Sequence, residues 1–313
     1  MIYYRITLTP LGPISGAISE PWASGTIWGH IAWAIRYTEG EKSLQKWIQQ
    51  QESEPWLFSS QMPEGMLPKP FLKPMYRKAE KYDIETLKLF KDAKKSVYIR
   101  EETFLCMRDV MSELALMKSH KSESFEKDIN FKSEHLFHNQ INRRTGRTPE
   151  TGGLFVENFK FPQEKTRFQL FMFANESCQD RLEILFKFIG TSGFGANAST
   201  GKGAFQFEIS EETRLFKASG SRAMSLSHGI ITTNMENPRY KQHTHYGKLG
   251  GHYAAGMYSP FKYPILMAKP GATFTPTGKP LYGELLGDIH HDKSLNFIKH
   301  HAFHLPVFFT EAA

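Results

Sequence analysis

Residues 193–203 read GFGANASTGKG, and this glycine-rich segment stands between a predicted helix and a predicted strand. Before it, apolar side chains recur at the spacing of one helical face; they are Leu182, Leu185, Phe186 and Ile189. We expect Gly190 to end that helix. After the segment, apolar and polar residues alternate as in a half-buried strand; the apolar ones are Phe205, Phe207 and Ile209. The order helix, glycine loop, strand is the observation on which the fold prediction rests.

The composition of this loop suits a ligand that carries negative charge. Glycine lets the backbone approach a ligand closely, and successive free N–H groups form an anion-binding concavity. The lysine adds a point charge, and the hydroxyl groups can bond a phosphate or a sugar. The candidate contact residues are Gly193, Gly195, Asn197, Ser199, Thr200, Gly201, Lys202 and Gly203. A structural turn before an edge strand is the alternative interpretation of the same glycines.

Two common nucleotide-binding motifs do not fit the loop. A dinucleotide fingerprint needs a strand before its glycines and a helix after them, whereas here the order is reversed. The P-loop pattern also fails, because Gly195 and Gly201 are one residue too far apart and Gly203 replaces the Ser or Thr that follows the lysine. A nucleotide-dependent enzyme is therefore an alternative that the order of elements disfavours.

The same elements are predicted at the start of the chain. Residues 2–8 alternate between apolar and polar side chains, which indicates a strand. A helix follows, in which Ile27, Ile31 and Ile35 recur at helical spacing and Ser24 is the expected N-cap. The sequence thus predicts an α+β fold, with a ferredoxin-like unit over residues 1–209 that carries an insertion at about 49–165. Residues 210–313 are expected to form a second, smaller α+β domain.

Composition and charge restrict the class of protein. The net charge is +7 and the pI about 9.2, and a basic surface attracts polyanions such as nucleic acid. The N-terminus has no signal-peptide pattern and no apolar run approaches the length of a membrane span, so a cytoplasmic protein without a membrane partner is expected. Cys106 and Cys178 lie far apart, which indicates neither a disulfide framework nor a zinc ribbon.

Basic residues also occur outside the glycine loop. Arg143, Arg144 and Arg147 surround a Thr-Gly pair that is typical of a hairpin or loop tip, and Lys248 stands among glycines. Single-stranded RNA is bound through phosphate contacts and stacked bases, so these four residues are candidate RNA contacts. Solvated surface turns are the alternative interpretation of both segments.

Several segments, taken in order, resemble the RAMP superfamily of CRISPR proteins. The glycine loop has that family's position before the last strand of a ferredoxin-like domain. The other matching segments are ASGTIWGH at 23–30, LPKPF at 67–71, HNQINRRTG at 138–146 with GGLF at 152–155, and YGKLGG at 246–251. Together they are most similar to the 5′-tag-binding subunit of the type III-A (Csm) effector complex. Residues 75–134 match nothing in that family.

The resemblance implies a fold of two ferredoxin-like domains, the second degenerate, and a function without turnover or cofactor. The subunit would hold the repeat-derived 5′ tag of the crRNA. It would contact the large polymerase-type subunit on one side and a backbone RAMP subunit on the other. The alternative is a related, metal-independent endoribonuclease that processes precursor crRNA, with His30 or another histidine as general base. Paired histidines such as His300 and His301 lack the spacing of a known metal site.

Overall fold

The computed structural model describes residues 1–15, 22–74, 84–119, 131–163, 166–195, 198, 201–216, 219–254, 259–278 and 281–312. The α-helices in this part of the chain are α1 (Ser24–Glu39), α2 (Glu41–Ser53), α3 (Ile84–Lys95), α4 (Glu101–Met107), α5 (Glu113–Ser119) and α6 (Gln179–Ser192). The strands of the first half are β1 (Ile2–Pro10), β2 (Ile14–Ser15), β3 (Leu57–Phe58), β4 (Met62–Pro63), β5 (Met66–Pro68), β6 (Tyr98–Arg100), β7 (Phe131–Asn139), β8 (Leu154–Pro162), β9 (Phe168–Ala174) and β10 (Phe205–Glu211). Those of the second half are β11 (Arg222–Ser225), β12 (Met235–Arg239), β13 (Gln242–His245), β14 (Ile265–Ala268), β15 (Thr273–Pro276), β16 (Leu285–Leu286), β17 (His300–His301) and β18 (Pro306–Phe309).

The main sheet has the strand order β10-β1-β9-β3, and β4 also pairs with β9. Its central pairings are antiparallel, and β1 lies between β9 and β10 with Ile6 opposite both Leu170 and Ile209. The predicted strands at 2–8 and 205–209 are therefore confirmed. Strands β3 and β4 lie within the expected insertion, so the main sheet uses residues that the sequence pattern placed outside it.

Helices α1, α2 and α6 cover one face of this sheet. Apolar residues of β1 and β9 pack there against the predicted apolar faces of α1 and α6. The apolar face of α6 is confirmed, because its four predicted residues are at most 4% exposed. Trp47 of α2 stacks on Trp28 of α1 at 5.0 Å between ring centroids and completes the layer.

The opposite face of the sheet packs against the second half of the chain. Phe171 and Phe173 share a core with Leu226, Leu305 and other apolar residues beyond position 210. Because both of its faces are covered, all seven residues of β9 are buried. The second half contributes a four-stranded sheet of order β12-β15-β11-β18.

Arg5 fixes β1 to three other parts of the chain. Its guanidinium donates to Glu101 of α4, at 2.7 and 2.9 Å, and to Gln169 of β9 at 3.0 Å. It also donates to Glu212, just after β10, through Nε at 2.9 Å and through Nη2. The resulting network joins the strand, the insertion and the start of the second half with a partly buried, fully bonded charge.

Two predicted helix boundaries are wrong. Ser24 is not an N-cap but the first residue of α1, and its hydroxyl donates to the His228 carbonyl at 2.9 Å, because the start of α1 packs against the second half. Gly190 does not end α6, which continues to Ser192 with Gly193 as its C-cap. Gly190 instead allows close packing, since a Cβ there would lie 2.6 Å from the Phe205 carbonyl oxygen.

Most of the regular secondary structure in the described part of the second half is β-strand. Its described residues contain 3₁₀ turns at Gly251–Ala254 and Lys293–Leu295 but no α-helix. The α+β class holds for the chain as a whole, whereas the ferredoxin-like character of each half stays a prediction. The boundary expected between 209 and 210 also stays a prediction, and β10 runs past it to Glu211.

Candidate nucleic-acid interface

Strands β7 and β8 form a long hairpin whose far end carries the three candidate arginines. The strands pair from Phe131↔Pro162 to Asn139↔Leu154, and β8 is anchored to the body through β2. Beyond Asn139, a tight turn is closed by hydrogen bonds from the Asn142 N–H to the Arg147 carbonyl (3.0 Å) and from the Gly146 N–H to the Asn142 carbonyl (2.8 Å). Gly146 has a φ of +64° there, so the prediction that Thr145-Gly146 forms a hairpin or loop tip is confirmed.

The arginine side chains at this tip are exposed, and no acidic partner contacts them within the described part of the chain. Arg143, Arg144 and Arg147 all lie on the surface. Within the described residues, the hydrogen bonds of this turn involve their backbone groups, as in the 2.9 Å bond from the Arg144 N–H to Asn142 Oδ1. A guanidinium group with no carboxylate partner keeps its five donors available for phosphate.

The glycine loop follows α6 and precedes β10, in the order predicted. Its backbone donors are largely used within the protein. The N–H groups of Gly193, Gly201 and Gly203 donate to the carbonyls of Ile189, Ala198 and Pro13, each at 2.9–3.0 Å. Three of the N–H groups expected to be free for an anion are therefore already bonded. Asn197, Ser199 and Thr200 lie outside the described residues.

The glycines of this loop fall into two pairs. A Cβ on Gly193 would lie 2.3 Å from the Lys202 carbonyl oxygen, and one on Gly203 would lie 2.1 Å from the Phe194 carbonyl oxygen. These two glycines close the base of the loop, where only a hydrogen atom fits. Gly195 and Gly201 also have positive φ, +89° and +80°, but a Cβ on either would meet nothing within 4 Å. Among the described residues, the space beside the second pair is therefore open.

Lys202 does not project freely into solvent. Its ammonium lies 3.0 and 3.1 Å from the carboxylate oxygens of Glu157 on β8 and 3.9 Å from the centre of the Phe159 ring. His138 Nε2 approaches the same carboxylate at 3.2 Å. Lys202 thus ties the glycine loop to the hairpin, and a phosphate would compete with Glu157 for it.

Lys248 lies on a separate arm of the second half, in which residues 247–249 lie beside residues 260–262. This arm is held by backbone hydrogen bonds from Leu249 to Pro260 (2.7 Å) and from Lys262 to Gly247 (2.9 Å). The Lys248 ammonium is exposed and stands 5.2 Å from the centre of the Phe261 ring. The structure therefore joins the glycine loop to the hairpin but places Lys248 on another element.

The sequence profile of the RAMP superfamily matches residues 24–206, which is more than half of the chain. The chain belongs to the RAMP superfamily. The matched region of this RAMP protein begins at α1 and includes both the arginine-bearing hairpin and the glycine loop, while Lys248 lies beyond it. No curated protein sequence matches the chain.

Solved structures share the RAMP fold over nearly the whole length. A Csm3–Csm4 subcomplex of the type III-A CRISPR-Cas interference complex contains a chain with a TM-score of 0.57 at 16% identity, covering 98% of this chain and 99% of that one. A Csm1–Csm4 cassette with cA4 gives 0.59 at 13% identity, with 99% of each chain covered. The same cassette with AMPPNP gives 0.56 at 14% identity and full coverage of both chains. At these identities the likeness establishes the fold.

His30, the candidate general base, packs against the glycine loop of this RAMP protein. Its ring stacks on Phe194 with 4.0 Å between centroids, and Phe194 in turn stacks on Trp22 at 3.6 Å. Burial lowers the pKa of His30 to about 4, so the ring is neutral at pH 7 and a weak base. A general base works best with a pKa near the working pH, so this environment suits packing better than catalysis.

The sequence pattern missed a group of histidines between the halves. His228, His243, His245 and His300 lie in a row in which successive ring centroids are 5.1, 6.3 and 5.1 Å apart. They come from a loop (His228), from β13 (His243 and His245) and from β17 (His300), so only the pair on β13 was visible in the sequence. Across the described part of the chain, no three His, Cys, Asp or Glu side chains come together in a way that could hold a metal ion.

Membrane insertion has no support in the described helices, since none combines the length and the apolar character that a span requires.

Proposed function

We propose that this RAMP protein is a non-catalytic, cytoplasmic crRNA-binding subunit of a type III-A CRISPR effector complex. It holds the repeat-derived 5′ tag of the guide RNA and connects the large polymerase-type subunit to a backbone RAMP subunit. The observation that carries the proposal is the full-length likeness to chains of Csm1–Csm4 and Csm3–Csm4 complexes, together with membership of the RAMP superfamily.

The names of those complexes support the proposed partners. Csm4 is the component common to them, and it occurs once with Csm3 and repeatedly with Csm1. A chain that matches their Csm4 would have two protein partners on different surfaces. The large subunit and the first backbone subunit are the partners that this arrangement supplies.

The chemistry of the hairpin supports RNA as the ligand. Arg143, Arg144 and Arg147 offer guanidinium groups that pair with no acid of the described ranges, at the end of an element that projects from the body. Exposed apolar side chains on the same hairpin, Phe137 at 82% and Leu154 at 74%, add surfaces on which bases can stack or apolar groups can pack. The hairpin is thus equipped for both parts of single-stranded RNA recognition.

The topology supports two ferredoxin-like halves, the second degenerate. A ferredoxin-like unit has the chain order βαββαβ, and its four strands lie in the sheet in the order 4-1-3-2. The first half fits this pattern when β1, β3, β9 and β10 are counted as strands one to four and α1 and α6 as the two helices, because the sheet order is β10-β1-β9-β3. In the second half, β11, β12, β15 and β18 form a four-stranded sheet that lacks covering helices among the described residues. We propose the domain division at residues 209 and 210 on this basis.

The absence of catalysis belongs to the same proposal. His30 is stacked in the protein and poorly suited to accept a proton, which disfavours the processing-nuclease alternative. Cleavage of repeat RNA in the presence of a chelator would restore that alternative.

The test is co-expression of the tagged chain with its genomic neighbours and a repeat array. We expect other CRISPR subunits to co-purify, together with RNAs that share one repeat-derived 5′ end. Purification of the chain alone, with RNA freshly cut within the repeat, would replace the proposal with the nuclease alternative.

A further inference from the structure

Strand β10 forms an outer edge of the main sheet, and among the described residues no strand pairs with its far side. Its antiparallel pairing with β1 runs without interruption along the whole of β10. The same pattern of hydrogen bonds continues beyond both ends of the strand. The Leu11 N–H donates to the Ala204 carbonyl at 2.9 Å, and the Glu212 N–H donates to the Tyr3 carbonyl at 2.7 Å. These two bonds fix which backbone groups of β10 face β1.

Every second residue of β10 has backbone groups that point away from the sheet. In an antiparallel pair, residues that exchange hydrogen bonds with the partner strand alternate with residues that do not. Because Ala204 and Glu212 bond the β1 side, the even-numbered residues of β10 face β1. The N–H and C=O groups of Phe207, Ile209 and Glu211 therefore point outward. Within the described part of the chain, none of these three N–H groups donates to another acceptor. The edge thus offers backbone donors and acceptors to a further strand.

The edge of β10 lacks the devices that usually protect a strand edge. Prolines and bulges hinder the pairing of an exposed edge with another chain. Edge strand β12 of the second sheet has both, since it contains Pro238 and its register shifts between Glu236 and Arg239. Strand β10 has neither a proline nor a register shift along its seven residues. Its outer edge is therefore suited to pairing.

A shallow groove follows this edge between β10 and α6. Its two adjoining parts share Lys187, Phe207 and Glu208 among their lining residues. The apolar part of the lining includes Phe207 and Ile209, which are partly exposed, and Ile184 of α6, which is 58% exposed. A strand added to β10 would lay alternate side chains over these apolar groups, as in other complexes in which a peptide extends a sheet.

The groove is acidic, although the chain as a whole carries a net charge of +7. Asp180 and Glu183 of α6 and Glu208 of β10 line it, together with Lys187. The Glu208 carboxylate also lies 3.1 Å from Arg167, and 79% of its side chain is exposed. An excess of carboxylates repels the phosphates of a nucleic acid and attracts lysine and arginine side chains. The charge of the groove therefore favours a basic polypeptide over RNA.

We propose that the outer edge of β10 pairs with an extended, basic segment of a protein partner. The backbone of that segment bonds the outward groups of Phe207 and Ile209, and its apolar side chains cover Ile184. Its lysine or arginine side chains meet Glu183 on one side of the edge and Glu208 on the other. The inference rests on the proposed function only for the identity of the partner, which is a protein neighbour in the effector complex.

Hydrogen exchange of the full chain tests the pairing without a substitution. In the free chain, the outward amides of Phe207 and Ile209 should exchange faster than those of Glu208 and Ser210, which bond β1. The probe is an eight-residue peptide of alternating valine and lysine. It should slow exchange at Phe207 and Ile209 by about tenfold or more and leave the other two amides unchanged.

Two further probes test the chemistry of the groove. A peptide of alternating valine and glutamate should give no protection, because the groove is acidic. Single-stranded RNA should also leave both outward amides unprotected. Equal protection by the two peptides would contradict the basic character of the partner, and protection by RNA alone would reassign the edge to nucleic acid.

Charge reversal tests the acidic lining. Glu183→Lys with Glu208→Lys should weaken binding of the valine–lysine peptide by about tenfold, since like charges then face each other. Glu54→Lys with Glu236→Lys is the matched control: it reverses two exposed acids outside the groove and should change the affinity less than about twofold. Equal losses in the two variants would contradict a role of the lining.

The same amides are then followed in the complex purified by co-expression with the genomic neighbours, where we expect protection at Phe207 and Ile209. If the complex assembles while neither the peptide nor assembly protects these amides, the docking surface is wrong and the proposed function stands. If no complex forms, the proposed function fails, and the peptide alone decides whether the edge accepts a strand.

Discussion

At the scale of single residues, the cations of this RAMP protein differ in whether a carboxylate neutralises them. Lys202 pairs with Glu157, Arg181 pairs with Glu39, and the hairpin-tip arginines pair with no acid in the described structure. An ion pair has to be broken before its cation can bind phosphate, and that cost reduces the gain in affinity. Unpaired arginines should therefore dominate the electrostatic part of RNA binding.

Substituting the arginines of the hairpin tip tests whether they contribute more to RNA binding than other cations do. Arg143→Gln with Arg144→Gln should lower the salt slope of single-stranded RNA binding by about 1.4, since each lost phosphate contact removes about 0.7. Lys46→Gln with Arg214→Gln removes two exposed cations elsewhere and should leave the slope nearly unchanged. Filter-binding titrations between low and moderate salt measure both variants. An unchanged slope in the tip variant would contradict the assignment of Arg143 and Arg144 as phosphate contacts.

Buried histidines give the stability a pH dependence. Burial lowers the pKa of His228 to about 3 and the pKa of His301 and His304 to about 4. In the unfolded chain these histidines protonate near pH 6.5, so below that pH the unfolded state binds more protons than the folded state. Stability is therefore complete above pH 6.5 and falls as the pH drops from 6.5 toward 4.

Urea unfolding between pH 7.5 and 5 measures this effect. Each such histidine should contribute up to about 1.4 kcal/mol of destabilisation per pH unit in that window. His304→Gln can still donate to the Ile230 carbonyl, which His304 Nε2 reaches at 2.9 Å, and should make the fall in stability shallower. His291→Gln, at an exposed histidine, should leave the pH dependence unaltered. Identical slopes for wild type and His304→Gln would show that this ring is not the titrating group.

At the scale of elements, sequence periodicity predicted the strands and helices that pack one apolar face on a core. The alternation in β1 and β10 and the apolar faces of α1 and α6 are visible in sequence, because each packs one face on a core. Helix α2 is not visible, since its sequence is largely polar and only Trp47 and Gln51 of its residues are buried. Its position depends on contacts with distant tryptophans, which no local pattern encodes.

The candidate site was only partly predictable for the same reason. The Thr-Gly tip and its arginines follow from local turn chemistry. The ion pair of Lys202 with Glu157 links residues 45 positions apart, and the histidine row joins two strands and a loop, so neither can be read from spacing. Whether a basic residue is free to bind a ligand depends on partners that are distant in sequence, and no local sequence pattern identifies those partners.

The two kinds of glycine in the loop after α6 make separable predictions. Gly203→Ala places a methyl group 2.1 Å from the Phe194 carbonyl oxygen and should strongly lower the thermal midpoint. A side chain at position 201 meets nothing within 4 Å, so Gly201→Phe should lower the free energy of unfolding mainly because of the positive φ, by about 1–2 kcal/mol. Its ring would block the open side of the loop. We expect that variant to fold and to lose RNA affinity, as followed by thermal unfolding and RNA titration. Normal RNA binding by folded Gly201→Phe would favour the purely structural turn.

At the scale of the whole molecule, the two halves share a core. Phe171 and Phe173 of β9 pack with Leu305 and Val307 of the second half, and Arg5 bonds Glu212 across the same junction. Separating the halves would expose these apolar side chains and remove Glu212, one of the three side chains that the arginine bonds.

Unfolding should therefore be a single transition despite the two ferredoxin-like units that we propose. Fluorescence and far-ultraviolet circular dichroism should report coincident urea curves for the full chain. A fragment of residues 1–209 should aggregate or remain unfolded when produced alone, and co-expression with 210–313 should recover a soluble complex. Two resolved transitions, or a stable isolated fragment, would show that the halves fold independently.

The burial of β9 on both sides also determines where a nucleic acid can run. RNA-recognition domains built on a four-stranded sheet usually lay bases flat on the open face of that sheet, over its aromatic residues. Here helices occupy one face and the second half occupies the other, and Phe171 on that second face is completely inaccessible. A guide strand held by this chain must therefore pass around the rim of the sheet, gripped by projecting loops and arms, while the platform itself serves as internal scaffolding.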